Sequence, residues 1–168
     1  MREFVRGENL YYAIREIGLL STSDAKFYIS CIILVMEYLL QESVFLRDMS
    51  PENFMIDDKG YIKLISIATA KKLAVNNCNY KTKTLIGSPY YSAPEMIEGK
   101  GYNYTSSLFG LGVLLFEFMC GYVPFGEKSD DPIEIYEDIM SMPLKFPKLL
   151  RDEKAKKLMI QLLNKDYP

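Results

Sequence analysis

The segment LRDMSPENFMI, residues 46–56, decides the fold, and the rest of the chain is arranged around it. It places the carboxylate of Asp48 five positions before the amide of Asn53, and an apolar, strand-like run follows at residues 54–56. An enzyme that transfers phosphoryl groups needs such an arrangement to hold a hydroxyl group beside a metal-bound phosphate. The alternative is an ordinary surface turn, because Asp, Ser, Pro and Asn favour turns through local hydrogen bonds. The segment alone leaves both interpretations open.

Two further segments follow in order, YIKLISIATAKKL at residues 61–73 and GSPYYSAPE at residues 87–95. Together with residues 46–56 they resemble the catalytic loop, the D-F-G region and the A-P-E element of protein kinases. The resemblance runs nearly end to end and is to the C-terminal lobe of a serine/threonine kinase of the cyclic-nucleotide-dependent (AGC) type. The segments GKGY, residues 99–102, and CGYVPFG, residues 120–126, are similar to that subfamily. The cGMP-dependent kinases of protists look most alike.

Length and composition limit the class of protein. The 168 residues suffice for one domain with a core and are too few for a complete two-lobed kinase. The formal net charge of -2 argues against a nucleic-acid partner, and the longest apolar stretch, residues 108–119, is too short to span a bilayer. With no histidine and three scattered cysteines, zinc fingers and histidine-dependent metal or catalytic sites are excluded. We therefore expect a cytoplasmic protein without a membrane partner, with cytoskeletal or ciliary assemblies as further locations.

The resemblance implies a mainly α fold with short β-hairpins: a protein-kinase-like C-terminal lobe with the N-terminal lobe absent. Residues 1–168 would form a partial protein kinase domain, made of the hinge and the C-lobe only. We expect Phe27 and Leu40 to be buried, and the apolar residues around Phe4, Leu10 and Met55 to be exposed where the other lobe is missing. Turn residues predict one hairpin, formed by residues 54–56 and 61–65. Apolar spacing and capping residues predict helices at 10–17, 104–120, 132–140 and 152–164. A further helix is predicted to begin at a cap within residues 21–24 and to end at about residue 41.

The resemblance also implies roles for individual residues. Asp48 would accept or orient the proton of the substrate hydroxyl group, and Asn53 would bind a magnesium ion through its side-chain oxygen. Glu52 and Glu117 match the acidic pair that recognises a basic residue in the substrates of these kinases. For Glu117 the alternative is a structural carboxylate at a helix end, paired with a cation.

Further residues match regulatory and structural positions. Thr84 is similar in position to the phosphorylated residue of the activation loop, and Arg47 to the basic residue that engages its phosphate. The alternative is an ordinary exposed threonine, with Arg47 hydrogen-bonded to backbone carbonyls. Glu95 is the glutamate of the A-P-E element, and the arginine that usually pairs with it is not in the chain. Either Lys165 substitutes for that arginine, or Glu95 binds a group outside this chain.

Three serines depart from the family pattern. Ser66 stands where the D-F-G aspartate binds magnesium, and a neutral hydroxyl group is a poor ligand for a hard divalent cation. Ser50 replaces the lysine that neutralises the transferring phosphoryl group, and Ser107 replaces an aspartate that braces the catalytic loop, with fewer and weaker hydrogen bonds expected. We expect Leu46 to pack where the family has a histidine or tyrosine before the Arg-Asp pair, and Ile67 to pack where the family has the D-F-G phenylalanine.

These observations support three hypotheses about function. The first is a pseudokinase, a protein-binding or scaffolding module that needs no cofactor and whose partners are proteins, including basic peptides or a large assembly. The second is an active serine/threonine kinase that uses ATP and Mg²⁺, with its N-lobe outside this chain. The third is a structural subunit of a large assembly.

Overall fold

The computed structural model describes residues 4–72 and 81–166. The described part is mainly helical with short antiparallel strands, which confirms the predicted fold class. Two single-turn 3₁₀ helices lie at Pro51–Asn53 and Pro89–Tyr91. The strands and α-helices are, in chain order, β1 (Gly7–Asn9), α1 (Leu10–Ile17), α2 (Thr22–Gln41), β2 (Val44–Phe45), β3 (Phe54–Asp57), β4 (Ile62–Leu64), β5 (Lys71–Lys72), α3 (Pro94–Ile97), α4 (Ser106–Cys120), α5 (Pro132–Ser141) and α6 (Glu153–Leu162).

Local capping explains where the first two helices begin and end. The side chain of Asn9 accepts a hydrogen bond from the backbone N–H of Tyr11 at 2.9 Å, and α1 ends at Gly18, whose φ of 77° suits glycine. The hydroxyl of Ser21 then accepts from the N–H of Asp24 at 3.2 Å and caps α2. The predicted bounds of α1 are confirmed, and those of the later long helices differ from the structure by one or two residues at their ends.

Two small sheets hold the segment at residues 46–53 from both sides. β3 pairs antiparallel with β1 and β4, with Asn9 opposite Met55 and Phe54 opposite Leu64. On the other side, β2 pairs antiparallel with β5, with Val44 opposite Lys72. The predicted hairpin is therefore present as β3 and β4, and the loop between β2 and β3 has both of its ends anchored by hydrogen-bonded strands.

Helix α4 lies at the centre of the core. It is apolar and buried on nearly every side, and it packs against α2, α6 and the turn at Pro89–Tyr91. Its glycines allow close approach: a Cβ at Gly110 would lie 2.8 Å from the Cβ of Met49, and one at Gly112 would lie 2.8 Å from the Cβ of Leu162. The loop at residues 46–53 therefore rests directly on the central helix.

Some burial predictions were wrong. Phe27 and Leu40 are 44% and 41% exposed. Phe27 lies beside the rings of Tyr28 and Tyr61, and Leu40 lies at an open cavity next to Leu108 and Leu111 of α4. Leu10 is fully buried, since it begins α1 where that helix packs against β3 and the turn after residue 50. Phe4 is 86% exposed, as expected. No helix within the described residues is long and apolar enough to cross a lipid bilayer.

Candidate functional site

Asp48 is held between its own loop and the segment that begins at Gly87. Its Oδ1 accepts a hydrogen bond from the backbone N–H of Ser50 at 3.0 Å. Gly87 approaches from the other side with a φ of 99°, and a Cβ there would lie 2.8 Å from the Cβ of Asp48. Only glycine tolerates both that dihedral angle and that distance. The sequence elements GSP and RD, distant in the chain, therefore meet at this carboxylate.

Asn53 lies at the C-terminal end of the loop, and its side chain is hydrogen-bonded to earlier residues of the loop. Its Nδ2 donates to the backbone carbonyl of Asp48 at 3.3 Å and to the hydroxyl of Ser50 at 3.2 Å. Both contacts use the amide nitrogen, so a cation would be met by the amide oxygen Oδ1. The structure thus brings the predicted residues Asp48 and Asn53 together, with Ser50 between them.

Ser66 follows a residue that is hydrogen-bonded to Asn53, since the N–H of Ile65 donates to the carbonyl of Asn53 at 2.9 Å. The hydroxyl of Ser66 accepts from the N–H of Ala68 at 3.5 Å, within its own turn. The packing role predicted for the neighbouring Ile67 was wrong, because that side chain is 54% exposed.

The side chains at the two positions that the resemblance assigns to the metal, Asn53 and Ser66, are poor ligands for a magnesium ion. Proteins hold Mg²⁺ mainly through one or two carboxylates, and the groups present at the two ligand positions are the amide of Asn53 and the hydroxyl of Ser66. In the ranges 4–72 and 81–166, no group of three or more Cys, Asp or Glu side chains is arranged to hold a metal.

Ser107 contacts the loop through one hydrogen bond, and the expectation that it makes fewer and weaker hydrogen bonds than an aspartate stays a prediction. Its buried hydroxyl donates to the backbone carbonyl of Leu46 at 2.5 Å. A hydroxyl group can donate to a carbonyl, which an ionised carboxylate cannot, so the serine retains the brace through a different hydrogen bond. Leu46 itself is 3% exposed, and its predicted packing role is observed.

Arg47 is bonded to the backbone, as in the alternative interpretation. Its Nε donates to the carbonyl of Thr69 at 2.5 Å. The guanidinium group of Arg47 also lowers the pKa of the nearby Tyr102 phenol, but burial raises that pKa by a larger amount. Tyr102 in turn donates to the backbone carbonyl of Thr84 at 2.6 Å, and the side chain of Thr84 is exposed. The phosphorylation of Thr84 stays a prediction.

Glu95 is not paired with Lys165, so that alternative was wrong, and a partner of Glu95 outside this chain stays a prediction. The ammonium group of Lys165 lies 4.3 Å from the ring centroid of Phe125 and donates to the carbonyl of Met142. These contacts lie at the end of α6, which packs on α4 away from α3. Glu95 itself is half-buried, and burial raises the pKa of its carboxyl group.

Glu52 and Glu117, far apart in sequence, line one cavity of about 480 Å³. We call this cavity the acidic pocket. Glu52 is exposed at its edge, whereas the side chain of Glu117 is only 8% exposed. The other acidic and aromatic residues of the pocket are Glu127, Asp130, Tyr11, Tyr90, Tyr91 and Tyr122. The pair Glu52 and Glu117 could be predicted from the sequence, and none of these others was.

The carboxylate of Glu117 has two neighbours from other elements. The phenol of Tyr91 donates to Oε2 at 2.5 Å, and Nη1 of Arg15 lies 4.0 Å from Oε1. Burial raises the pKa of the carboxyl group, Tyr91 and then Arg15 lower it, and the charge of Glu52 raises it. The pairing with Arg15 agrees with the structural alternative for Glu117, while the open cavity agrees with the recognition of a basic residue.

Sequence reasoning missed Arg15 and Tyr90. Arg15 stacks on Tyr11, with its Cζ 3.5 Å from the ring centroid, and its Nη1 donates to the carbonyl of Tyr11 at 3.2 Å. The spacing of these two residues, four apart on α1, was the available signal. Tyr90 donates to the carbonyl of Ser129 at 2.8 Å and so holds the loop that carries Asp130 against the pocket.

Comparisons with known proteins agree with this architecture. The family model described as protein kinase domain matches residues 1–168. The cGMP-dependent protein kinase of Toxoplasma gondii is 45% identical over 163 residues, which cover 97% of this chain and 16% of that protein. The corresponding enzyme of Plasmodium berghei is 45% identical, with 97% and 18% covered. The cAMP-dependent protein kinase catalytic subunit PRKX of Mus musculus is 37% identical, with 97% and 44% covered.

The chain thus spans less than half the length of these relatives. The match to the family nevertheless extends over the whole chain, and the relatives are kinases regulated by cyclic nucleotides. The chain therefore belongs to the protein kinase domain family, with its similarity to the cyclic-nucleotide-dependent (AGC) kinases.

Proposed function

We propose that this chain acts as a pseudokinase, a protein-binding module that recognises a basic peptide and does not transfer phosphate. One contrast carries the proposal. The position of the metal-binding carboxylate is held by Ser66, whose hydroxyl bonds to its own turn, while Glu52 and Glu117 remain together in an open pocket.

The loop retains the shape of a catalytic site but lacks the charges that phosphoryl transfer needs. Catalysis of that reaction depends on positioning together with neutralisation of negative charge on the phosphoryl group. Asp48 and Asn53 still position one another through the loop backbone. Ser50, at the lysine position, accepts a bond from Asn53 and brings no positive charge. ATP and Mg²⁺ are therefore not part of the proposed function.

The acidic pocket suits a guanidinium or ammonium group. A carboxylate attracts a cation more strongly when it is partly removed from water, and Glu117 is 8% exposed. Glu52 supplies a second carboxylate, and the tyrosine rings of the pocket provide surfaces on which a cation can stack. The pocket's acidic residues outnumber its single arginine, Arg15. A peptide with two arginines is the ligand that this arrangement favours.

The active kinase is the second candidate, because the contacts of Asp48 and Asn53 are intact. It would require an N-lobe and a replacement for the missing carboxylate. A structural subunit of a large assembly, cytoplasmic or cytoskeletal, is the third candidate, and the 86% exposure of Phe4 favours an additional contact near the hinge.

The deciding experiment measures phosphotransfer and peptide binding on the purified chain. A fluorescent peptide with two arginines and a serine is titrated with the chain, and incubated with labelled ATP, with and without Mg²⁺. We expect binding without phosphate transfer, and Glu117→Gln should weaken binding at least tenfold. Glu98→Gln, which removes a carboxylate paired with Lys100 outside the pocket, is the matched control.

A second set of variants separates the candidates. Ser66→Asp restores the carboxylate at the metal position, and any transfer that appears only in this variant supports the loss of catalysis in the native chain. Transfer by the native chain that disappears in Asp48→Asn would contradict the proposal and support the active kinase. Absence of peptide binding at micromolar to millimolar concentrations would contradict recognition by the acidic pocket.

A further inference from the structure

Tyr102 lies where segments from distant parts of the chain meet. Its side chain is only 2% exposed. The ring packs edge-on against Phe45 of β2, with the ring centroids 6.4 Å apart and the planes at 82°. The backbone N–H and carbonyl groups of Tyr102 exchange hydrogen bonds of 2.9 Å with those of Thr82. The residue therefore joins the segment at residues 82–87 to the strand that leads into the loop at residues 46–53.

The hydroxyl group of Tyr102 adds a contact on each side. It donates to the backbone carbonyl of Thr84 at 2.6 Å. On the loop side its neighbour is the guanidinium group of Arg47: burial raises the pKa of the phenol, and hydrogen bonding and charge from Arg47 lower it. A phenol oxygen can accept one hydrogen bond while it donates another. We call the contacts of this hydroxyl group with Arg47 and Thr84 the Tyr102 latch.

Arg47 is itself held in place. Its Nε donates to the carbonyl of Thr69 at 2.5 Å, and the pairing of β2 with β5 sets Phe45 opposite Lys71, so that the turn containing Thr69 stays beside the loop. The guanidinium group is a planar fork, and fixing one donor restricts the directions of the others. The loop side of the latch is therefore a well-positioned donor.

The segment that the latch holds leads directly into the acidic pocket. Gly87, at its end, packs against Asp48, and three of the next four residues line the pocket: Ser88, Tyr90 and Tyr91. The N–H of Tyr91 donates to the carbonyl of Ser88 at 3.2 Å, and its phenol donates to Glu117. A displacement of residues 82–87 would therefore reach the wall of the pocket within a few residues.

The latch uses the backbone of Thr84 and not its side chain. The carbonyl oxygen of Thr84 accepts from Tyr102, whereas the side chain is exposed. The phenol, the guanidinium group and the carbonyl are all groups of the unmodified chain. The contact therefore does not depend on the chemical state of the exposed side chain at position 84.

We propose that Tyr102 is a positioning residue for the acidic pocket: it holds residues 82–87 against the loop and keeps the pocket wall formed whatever the state of the Thr84 side chain. Its effect on peptide binding rests on the proposed function, whereas the fixing of residues 82–87 does not. A site that is formed for only a fraction of the time binds with its affinity reduced by that fraction. Loss of the latch therefore lowers affinity without removing any residue of the pocket.

Hydrogen exchange on the 168-residue chain tests the latch directly. Tyr102→Phe removes the hydroxyl group and keeps the ring on Phe45. After correction for intrinsic rates, we expect exchange at residues 82–87 to become about fivefold faster, as the loss of one hydrogen bond implies. Arg47→Lys keeps the charge, lacks the guanidinium fork and should act in the same direction, and the double variant should exceed the larger single effect only slightly. Thr84→Ala should leave exchange unchanged, since the accepting carbonyl remains.

Stopped-flow mixing with the two-arginine peptide measures the consequence for the pocket. In Tyr102→Phe the association rate constant should fall about threefold with little change in the dissociation rate constant, because fewer molecules have the pocket wall formed. A purely structural loss of stability leaves the association rate constant unchanged as long as the chain stays folded. Tyr104→Phe removes the hydroxyl group of a tyrosine that is 40% exposed, two residues away, and is the matched control.

Three results would overturn the proposal. Unchanged exchange at residues 82–87 in Tyr102→Phe would show that the hydroxyl group does not hold the segment. Equal acceleration by Thr84→Ala would place the contact in the side chain of Thr84. Faster exchange with unchanged peptide association would limit Tyr102 to a structural role. Absence of peptide binding by the native chain is a different outcome: it overturns the proposed function and the effect on the pocket, while the exchange measurements still decide the latch.

Discussion

At the scale of single residues, burial decides what the carboxylate of Glu117 can do. The group lies in the acidic pocket with Tyr91 donating to one oxygen and Arg15 near the other, and burial is the main cause of its raised pKa. It is therefore strong as a cation ligand when ionised and easier to protonate than an exposed glutamate. Ser66 illustrates the opposite case, because one hydroxyl in place of a carboxylate removes the charge that a metal requires.

We predict that peptide binding depends on pH through Glu117. Its carboxyl pKa is raised above 4.5, so protonation begins at a higher pH than for an exposed glutamate, and affinity for the basic peptide falls as pH decreases through that range. Bound arginine favours the ionised form, so binding releases protons. Titration calorimetry in two buffers of different ionisation enthalpy measures this release. Glu117→Gln should remove the step, and an unchanged pH profile in that variant would contradict the assignment to Glu117.

We predict that Arg15→Gln strengthens peptide binding several-fold. The guanidinium of Arg15 stacks on Tyr11 and lies 4.0 Å from Glu117, so it opposes the approach of a second cation. Its removal also takes away an influence that lowers the pKa of Glu117, and the pH step should move upward. Arg15→Lys keeps the charge and is the control. Weaker binding by Arg15→Gln would mean that Arg15 contacts the peptide favourably.

At the scale of secondary structure, α4 supports the loop at residues 46–53 from below. Ser107 donates to the carbonyl of Leu46, and Gly110 allows the helix to touch Met49. These contacts come from the first two turns of one helix, so the loop has a rigid base although it contains no long strand or helix of its own. The departure from the family at Ser107 changes the direction of a hydrogen bond and preserves the support.

Removing the hydroxyl of Ser107 should loosen the loop. Ser107→Ala leaves the buried carbonyl of Leu46 without this donor, at a cost of about 1–3 kcal/mol in the free energy of unfolding. Hydrogen exchange at residues 46–53 should become faster. Ser106→Ala is the matched control, because that neighbouring serine bonds to Asn103 at 2.8 Å and not to the loop. Similar exchange in both variants would mean that Ser107 does not brace the loop.

Gly110→Ala should destabilise the fold by about 1–3 kcal/mol through overpacking. The added Cβ would lie 2.8 Å from the Cβ of Met49 and 3.2 Å from the carbonyl oxygen of Tyr91. The added Cβ would also lie 2.9 Å from the Cγ of Met49. Because Met49→Ala removes this Cγ, it should recover part of the loss in a double-mutant cycle of unfolding free energies. Additive effects of the two substitutions would show that the helix and the loop do not contact each other at this point.

At the scale of the whole molecule, the chain has two surfaces of different character. The acidic pocket lies among α1, the turn at Pro89–Tyr91 and the C-terminal end of α4. An apolar groove made of two cavities follows α2; α4 lines both cavities, α6 lines one of them and β2 the other. The acidic pocket, which is charged and aromatic, is the surface on which the proposed binding function rests.

Occupation of the acidic pocket should stabilise the entire chain. At a basic-peptide concentration of one hundred times Kd, linkage predicts a gain of about 2.7 kcal/mol in the free energy of unfolding, and a rise in Tm of about 5–11 °C for a domain of this size. Thermal denaturation followed by circular dichroism measures the shift. Glu117→Gln should reduce the shift, and Glu98→Gln should leave it unchanged. An equal shift in Glu117→Gln and the native chain would contradict binding in the acidic pocket.

Several features could be predicted from the sequence because they depend on neighbouring residues. Asn9, Ser21 and Gly18 mark helix ends through hydrogen bonds and dihedral angles within one turn, and the predicted helices follow these signals. The kinase resemblance rested in the same way on short segments in order. It identified the family, the serine substitutions and the pair Glu52 and Glu117 before any contact was known.

Other features were decided only by tertiary structure, since they join residues that the sequence keeps far apart. The order of residues could not show that Arg15 approaches Glu117, that Lys165 turns to Phe125 and away from Glu95, or that Ser107 donates to Leu46. Nor could hydrophobic spacing show which face of α2 packs on α4, because the helix is apolar on most sides. Local chemistry therefore determined the elements and the family of this protein, and the packing of distant elements determined its pocket, its brace and its groove.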